Sequence, residues 1–369
     1  MRPLDHRRMS TRISSTAIAA LALVLAIAAI AAALAAVATG DEEPATMPGG
    51  MGMGSSGMAG GAMEHMGPLP VDGIGEPAAE EGSLPLSGER RDGALEFELD
   101  ARPVWWQLGD GQRASAYAYN GIVPGPAIRV RNGTRVRVVF TNRLPVETTV
   151  HWHGIDVPNA MDGVPGVTQD PIAPGESFTY EFTARPAGDP DGGGTFLYHT
   201  HSEEDRQMPM GLYGTFVIDP PRSETNSPAV DETLVFSEWT VDAASGRSRG
   251  VMPMEGNFPN FFTINGKMFP YTETIQVEAG EDVRLRLVNA GQFAHPIHLH
   301  GTSFRVEAQD GHPTGDRSLR DTITLESGER ADIRFELPKG KWIVHCHIGH
   351  HLTNDGEGPG GLIQVIEAT

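Results

Sequence analysis

The chain has 369 residues, 39% of them hydrophobic and 21% charged, with a formal net charge of −20 at pH 7. That acidity argues against nucleic-acid binding and favours cationic partners electrostatically. A single cysteine excludes an intramolecular disulfide framework, and the length suggests two or three domains.

Residues 1–40 begin with Arg2, Arg7, Arg8 and Arg12 and continue into an uninterrupted Ala/Leu/Ile/Val run over 17–38. A basic start followed by an apolar run is an export signal. This run is longer than a usual signal-peptide core and just long enough to span a bilayer, while Ala36-Val37-Ala38 offers a small-residue cleavage site. The segment therefore reads as a signal peptide or a membrane anchor. Either way the globular part is expected to be extracytoplasmic, secreted or held at the outer face of the cell membrane. Residues 41–93 are rich in Gly, Pro, Glu and Met and lack apolar periodicity, which predicts a disordered linker. Met47, Met51, Met53, Met58, Met63 and Met66 fall in this stretch. Thioether sulfur is a soft ligand suited to cuprous copper; a low-complexity spacer is the equal alternative.

From residue 94 the chain repeats itself. Tyr119-Asn120-Gly121 opens a stretch that ends in HWHG, and Ile264-Asn265-Gly266 opens a similar one ending in HLHG. Between them, IRVRNGTRVRVVFTN (128–142) matches IQVEAGEDVRLRLVN (275–289), and TFLYHTH (195–201) later matches KWIVHCH (341–347). Each match reads as strand, turn, strand with period-two apolar positions, the pattern of a half-buried antiparallel sheet. No long amphipathic helix pattern interrupts them. The prediction is all-β: two tandem Greek-key sandwiches, the first over 94–220 and the second over 232–369, with a Pro-rich linker at 221–231. Trp105, Trp106 and Trp342 read as core residues.

Histidine carries the chemistry. Four clusters, HWH at 151–153, HTH at 199–201, HPIHLH at 295–300 and HCHIGHH at 345–351, leave only His6, His65 and His312 outside them. Neutral imidazole is the commonest metal ligand near neutral pH, and on a strand the two histidines of H-x-H point to one face. His151, His153, His199, His201, His298, His300, His345 and His347 thus form four such pairs. Eight imidazoles and one thiolate are wrong for a structural zinc site. A His₂Cys set with a weak axial neighbour is the blue-copper arrangement, and His295, Cys346 and His351 can supply it. Cys346 lies one residue from both His345 and His347, which face the other way along the strand.

At these motifs the chain resembles the multicopper oxidases, whose HxH, HxH, HPxHLH and HCHxxxH motifs all occur here in the family's order; the likeness runs over about residues 94–369. The resemblance implies two cupredoxin-like domains and four coppers per subunit. His295, Cys346 and His351 match the type 1 ligands, His151 and His298 the type 2 ligands, and His153, His199, His201, His300, His345 and His347 the type 3 ligands. His350 is a bystander beside His351. Asp162, after HWHG, matches an acidic residue that relays protons to oxygen; a turn-forming Asp before Gly163 is the plainer alternative. A second acidic residue common three positions after the cysteine is Gly349 here. TNDGEGPGG (353–361) reads as an insertion, with Leu362 the best candidate for the displaced axial type 1 residue; an ordinary strand residue is the equal alternative.

Thr148, Thr200 and Asp205 stand in the first copy opposite His295, Cys346 and His351, so the type 1 site belongs to the second copy alone. That arrangement resembles two-domain laccase-like oxidases, not copper nitrite reductases, which keep the type 1 cysteine in the first domain. The implied reaction is one-electron oxidation of phenols or aromatic amines coupled to reduction of O₂ to water. Cuprous, ferrous or manganous donors are the alternative, and a non-catalytic copper-binding surface protein is a weaker one. The family precedent for two domains is a homotrimer with clusters shared between subunits.

Overall fold

The alternation expected of a half-buried strand is plainest at Arg135–Asn142, where Val136, Val138, Phe140 and Asn142 are buried and their neighbours are not. The computed structural model describes residues 68–109, 111–221, 227–251 and 258–369. The expected signal or anchor, the six clustered methionines and residues 222–226 of the linker between the sandwiches lie outside these residues. Among the described residues, no helix is long and apolar enough to cross a membrane.

The described chain is almost entirely β. In the first sandwich one sheet runs Glu89–Arg91, Ala94–Gly109, Arg135–Asn142 and Ser177–Thr183, with Gln112–Tyr119 also paired to Ala94–Gly109. The facing sheet runs Gly125–Arg131, Tyr213–Asp219, Gly194–His199 and His151–His153. The second sandwich repeats this plan. Val230–Asp242, Asp282–Asn289 and Arg330–Glu336 lie in order in one sheet, and Ile275–Val277, Ile363–Ala368, Gly340–Cys346 and His295–Leu299 in the other. Each sandwich has its own apolar core. Both copies begin with the same hairpin turn: Asn120-Gly121 and Asn265-Gly266 have φ of 50°, 74°, 51° and 76°, the conformation that Asn-Gly adopts without strain.

Three expectations need correction. The strand–turn–strand units at 128–142 and 275–289 are not hairpins of one antiparallel sheet. Gly125–Arg131 and Arg135–Asn142 go to opposite sheets and pair in parallel with Tyr213–Asp219 and Ala94–Gly109, and the second copy does likewise. Period two reports which face is buried, not which strand is the partner.

The expected linker is not free over its last half. From residue 68 the chain is packed on the first sandwich: Leu69 and Val71 are buried in its core. Gly75 exchanges two backbone hydrogen bonds with the 103–105 edge, and Glu89–Arg91 folds back on Ala94–Gly109. Backbone edge pairing needs no apolar periodicity, so composition could not show it.

Of the tryptophans expected in the core, Trp106 is fully buried but Trp105 and Trp342 are only half-buried. Trp106 also bridges the sandwiches, its Nε1–H donating to Gly266 O at 2.7 Å. Around it Ala114, Ala116, Leu197, Val235, Trp239 and Val288 form a third apolar cluster drawn from both sandwiches.

Candidate metal centres

The histidine pairs meet because their strands do. His151–His153 pairs antiparallel with Gly194–His199, placing His151 opposite His199. His295–Leu299 pairs antiparallel with Gly340–Cys346, placing His298 opposite His345 and Ile297 opposite Cys346. Each strand pair gathers a quartet of imidazoles. In the first, ring centroids of His151 lie 5.8, 5.3 and 5.5 Å from those of His153, His199 and His201. In the second, His298 lies 4.8, 5.6 and 5.5 Å from His300, His345 and His347. Donor atoms of His151, His153 and His199 lie within 4.8 Å of one another, as do those of His298, His300 and His345. Among the described residues, no such group joins histidines of the two quartets.

Backbone carbonyls fix the tautomers. Nδ1–H donates to Asp162 O from His151, to Thr200 O from His199, to Asp321 O from His298 and to Cys346 O from His345, at 2.7–2.8 Å. A carbonyl can only accept, so each of these rings turns an unprotonated Nε2 outward, as a metal ligand must. His300 and His345 bring their Nε2 atoms to 3.0 Å. Burial and neighbouring charge lower His199 and His153. His199 is lowered to about 3 by burial and then by His151, and His153 to about 4 by burial and then by Arg330.

His295, Cys346 and His351 form a separate site, each 0% exposed. Their donor atoms make a triangle with sides of 3.1 Å (His295 Nδ1 to His351 Nδ1), 3.4 Å (Cys346 Sγ to His351 Nδ1) and 3.8 Å (Sγ to His295 Nδ1). Such a triangle has its centre about 2 Å from every corner, an ordinary metal–imidazole bond length. The residues therefore fit a trigonal His₂Cys centre. Ile348 N–H points at the sulfur from 3.5 Å. Burial lowers His351 to about 3. Burial also acts downward on His295, but Cys346 and Glu238 outweigh it and bring the ring up to about 9.

Leu362 is fully buried in the cluster that holds Cys346. Its N–H donates to His351 O at 2.9 Å and its carbonyl accepts from Cys346 N–H at 3.2 Å. His350 is exposed, with its ring centroid 4.3 Å from that of His351. In the first sandwich the corresponding place is filled by hydroxyls. Thr148 and Thr200 are buried with their Oγ1 atoms 3.0 Å apart. Their third neighbour is Gln207, 3.3 Å from Thr200, and not the Asp205 that sequence matching placed there. A soft metal finds no thiolate at this spot.

Asp162 follows the turn Asn159–Met161, and its carboxylate lies 3.4 Å from His151 Nδ1. Two acidic residues were missed. Glu204 reaches to 3.7 Å from Nδ1 of both His199 and His201, so a second carboxylate faces the first quartet from the acidic run after HTH. Glu238 lies 2.8 Å from His295 Nε2 and is 1% exposed; nothing in its local sequence marks it.

Family models described as multicopper oxidase match residues 100–223 and 247–356. The crystal structure of a blue copper oxidase from Nitrosomonas europaea is 34% identical, with a TM-score of 0.68 over 74% of this chain and 85% of that one. A probable nitrite reductase–hydroxylamine oxidoreductase fusion protein from Kuenenia stuttgartiensis is 29% identical over 75% of this chain and 32% of its own length. Laccase-7 of Oryza sativa is 34% identical over 58% of this chain and 39% of its own. The chain thus spans less than half the length of either of these two curated relatives.

Proposed function

The chain belongs to the multicopper oxidase family, and from that premise we propose a laccase-like oxidase that couples one-electron oxidation of phenols or aromatic amines to reduction of O₂ to water. The observation that carries this reading is the His295–Cys346–His351 triangle, one residue along the chain from His345 and His347 in the second quartet. A copper store needs neither the buried thiolate site nor its covalent link to a histidine cluster. The Kuenenia relative raises nitrite reduction, but the threonine pair at 148 and 200 leaves the first sandwich without the thiolate expected of such reductases.

Four coppers per subunit is the count the ligands support. His295, Cys346 and His351 would hold type 1 copper with Leu362 beside it, His151 and His298 type 2, and His153, His199, His201, His300, His345 and His347 the type 3 pair. Bound there, copper supplies one-electron transfer and the binding and reduction of oxygen. The protein's part is to fix each ring through its Nδ1–H, to bury the thiolate away from water, and to hold protons near the first quartet on Asp162. Oxygen uptake measured first with a phenol and then with cuprous ion tests the donor. Uptake with the phenol is expected; uptake with cuprous ion alone would make the enzyme a metallo-oxidase, a reading favoured by the six methionines and the acidic charge. Replacing those methionines with leucine should then slow only the cuprous reaction.

The separation of the two quartets supports a second proposal. Type 2 and type 3 copper draw ligands from both quartets, so completing them calls for a second chain. Head-to-tail contacts that close give a ring, and a homotrimer with the first sandwich of one subunit facing the second sandwich of the next satisfies this. The N-terminal basic and apolar run supports a location outside the cytoplasm, free or membrane-anchored.

A further inference from the structure

Glu238 is a carboxylate in a place that burial alone disfavours. It sits on the strand Val230–Asp242 and is 1% exposed. Its partners are the backbone N–H groups of Gln292, at 3.0 Å from Oε2, and Phe293, at 3.1 Å from Oε1, together with His295 Nε2, at 2.8 Å from Oε1. Gly291 is what lets the loop come so close, because a Cβ there would lie 2.0 Å from Oε2. The loop is thus folded onto the carboxylate and runs directly into His295. The other imidazole of the triangle is treated differently: His351 stacks on Phe262, ring centroids 4.4 Å apart.

We propose that Glu238 is a positioning residue that also sets the reduction potential of the type 1 centre. Held at Nε2, His295 turns Nδ1 toward Cys346 and His351. The fixed negative charge behind the ring stabilises the cupric state over the cuprous one and so lowers the potential. A buried charge acts at close range with little screening by salt. It opposes the rise in potential that a non-coordinating Leu362 brings. The consequence for function is a narrower choice of donor: easily oxidised phenols and metal ions are favoured over high-potential ones. The proposal rests on reading the triangle as a type 1 copper site.

The test is a redox titration of copper-loaded wild type and Glu238→Gln, followed through the intense visible band. Gln keeps an acceptor oxygen and removes the charge. Both proteins should show the band, since the thiolate is untouched. At a given ambient potential the variant should hold a reduced-to-oxidised ratio about tenfold higher, an upward shift of about 59 mV for a one-electron couple. An unmoved potential with the band intact overturns the proposal, even where the variant melts earlier, because that is the signature of a merely structural carboxylate. A copper-loaded wild type without the band overturns the type 1 reading instead, so the two failures are distinguishable. Should Glu238→Gln not fold, Glu238→Asp draws the charge one methylene back from His295. Its potential should also rise, and a wild-type value would overturn the proposal.

Discussion

Cys346 occupies a position where period two does opposite work on adjacent residues. Its side chain enters the apolar core with Val344, while those of His345 and His347 join the quartet on the other face. On the proposed assignment the thiolate is needed for colour and not for the quartets, whose ligands would all be imidazoles. Cys346→Ser should abolish the intense visible band and remove about one copper of four from each subunit, read by absorbance and metal analysis; a retained band would refute the assignment. Asp162 allows a comparable test. Asp162→Asn keeps the turn and the carbonyl that orients His151 but removes a group able to take up and release a proton. Oxygen consumption under excess reductant should fall by about a hundredfold or more at unchanged copper content, and wild-type turnover would leave Asp162 a turn residue. These ligands were legible in the sequence because metal binding demands rare residue types at short spacing. Glu238 was not, because its role depends on a contact between distant strands, and a lone glutamate carries no pattern.

At the scale of elements, the repeat was readable and the pairing was not. Side-chain alternation marks a face, so both copies of the strand–turn–strand unit were visible, yet their division between facing sheets depends on contacts far along the chain. Asp282–Asn289 shows the same limit. Its alternation is lost because Arg284 and Arg286 are buried as well as the core side chains. Arg286 donates to Thr195 Oγ1 at 2.9 Å and to Asp332 at 3.0 Å, so the outward face of this strand is covered by the first sandwich. Residues 68–93 are the clearest miss, and they yield a prediction. Leu69 is 3% exposed within the first core, so Leu69→Ala should cost about 2–4 kcal/mol, seen as a lower urea midpoint. No change in the midpoint would return this segment to the linker.

At the scale of the whole molecule, the question is where the two quartets find each other. Within one chain His153 looks toward the second sandwich but meets the wrong part of it: a Cβ at Gly328 would lie 3.0 Å from its Cε1, and burial followed by the charge of Arg330 lowers it. The intrachain contact between sandwiches is occupied by Arg286, Asp332, Thr195 and the apolar cluster around Trp239. On the proposed trimer a cluster built from both quartets would form across subunits, and mixing can show it. His153→Ala spoils the first sandwich of its own chain, and Cys346→Ser spoils the second. Each variant alone should be inactive. Over all trimers reassembled at random from an equal mixture, roughly a quarter of the interfaces pair an intact second sandwich from one variant with an intact first sandwich from the other. Activity should therefore return to about a quarter of the wild-type value, measured as oxygen uptake per total subunit. Mixed oligomers of confirmed composition that stay inactive would mean that each cluster is completed within one chain. The facing of His153 onto Gly328 and Arg330 would then have to change when copper binds.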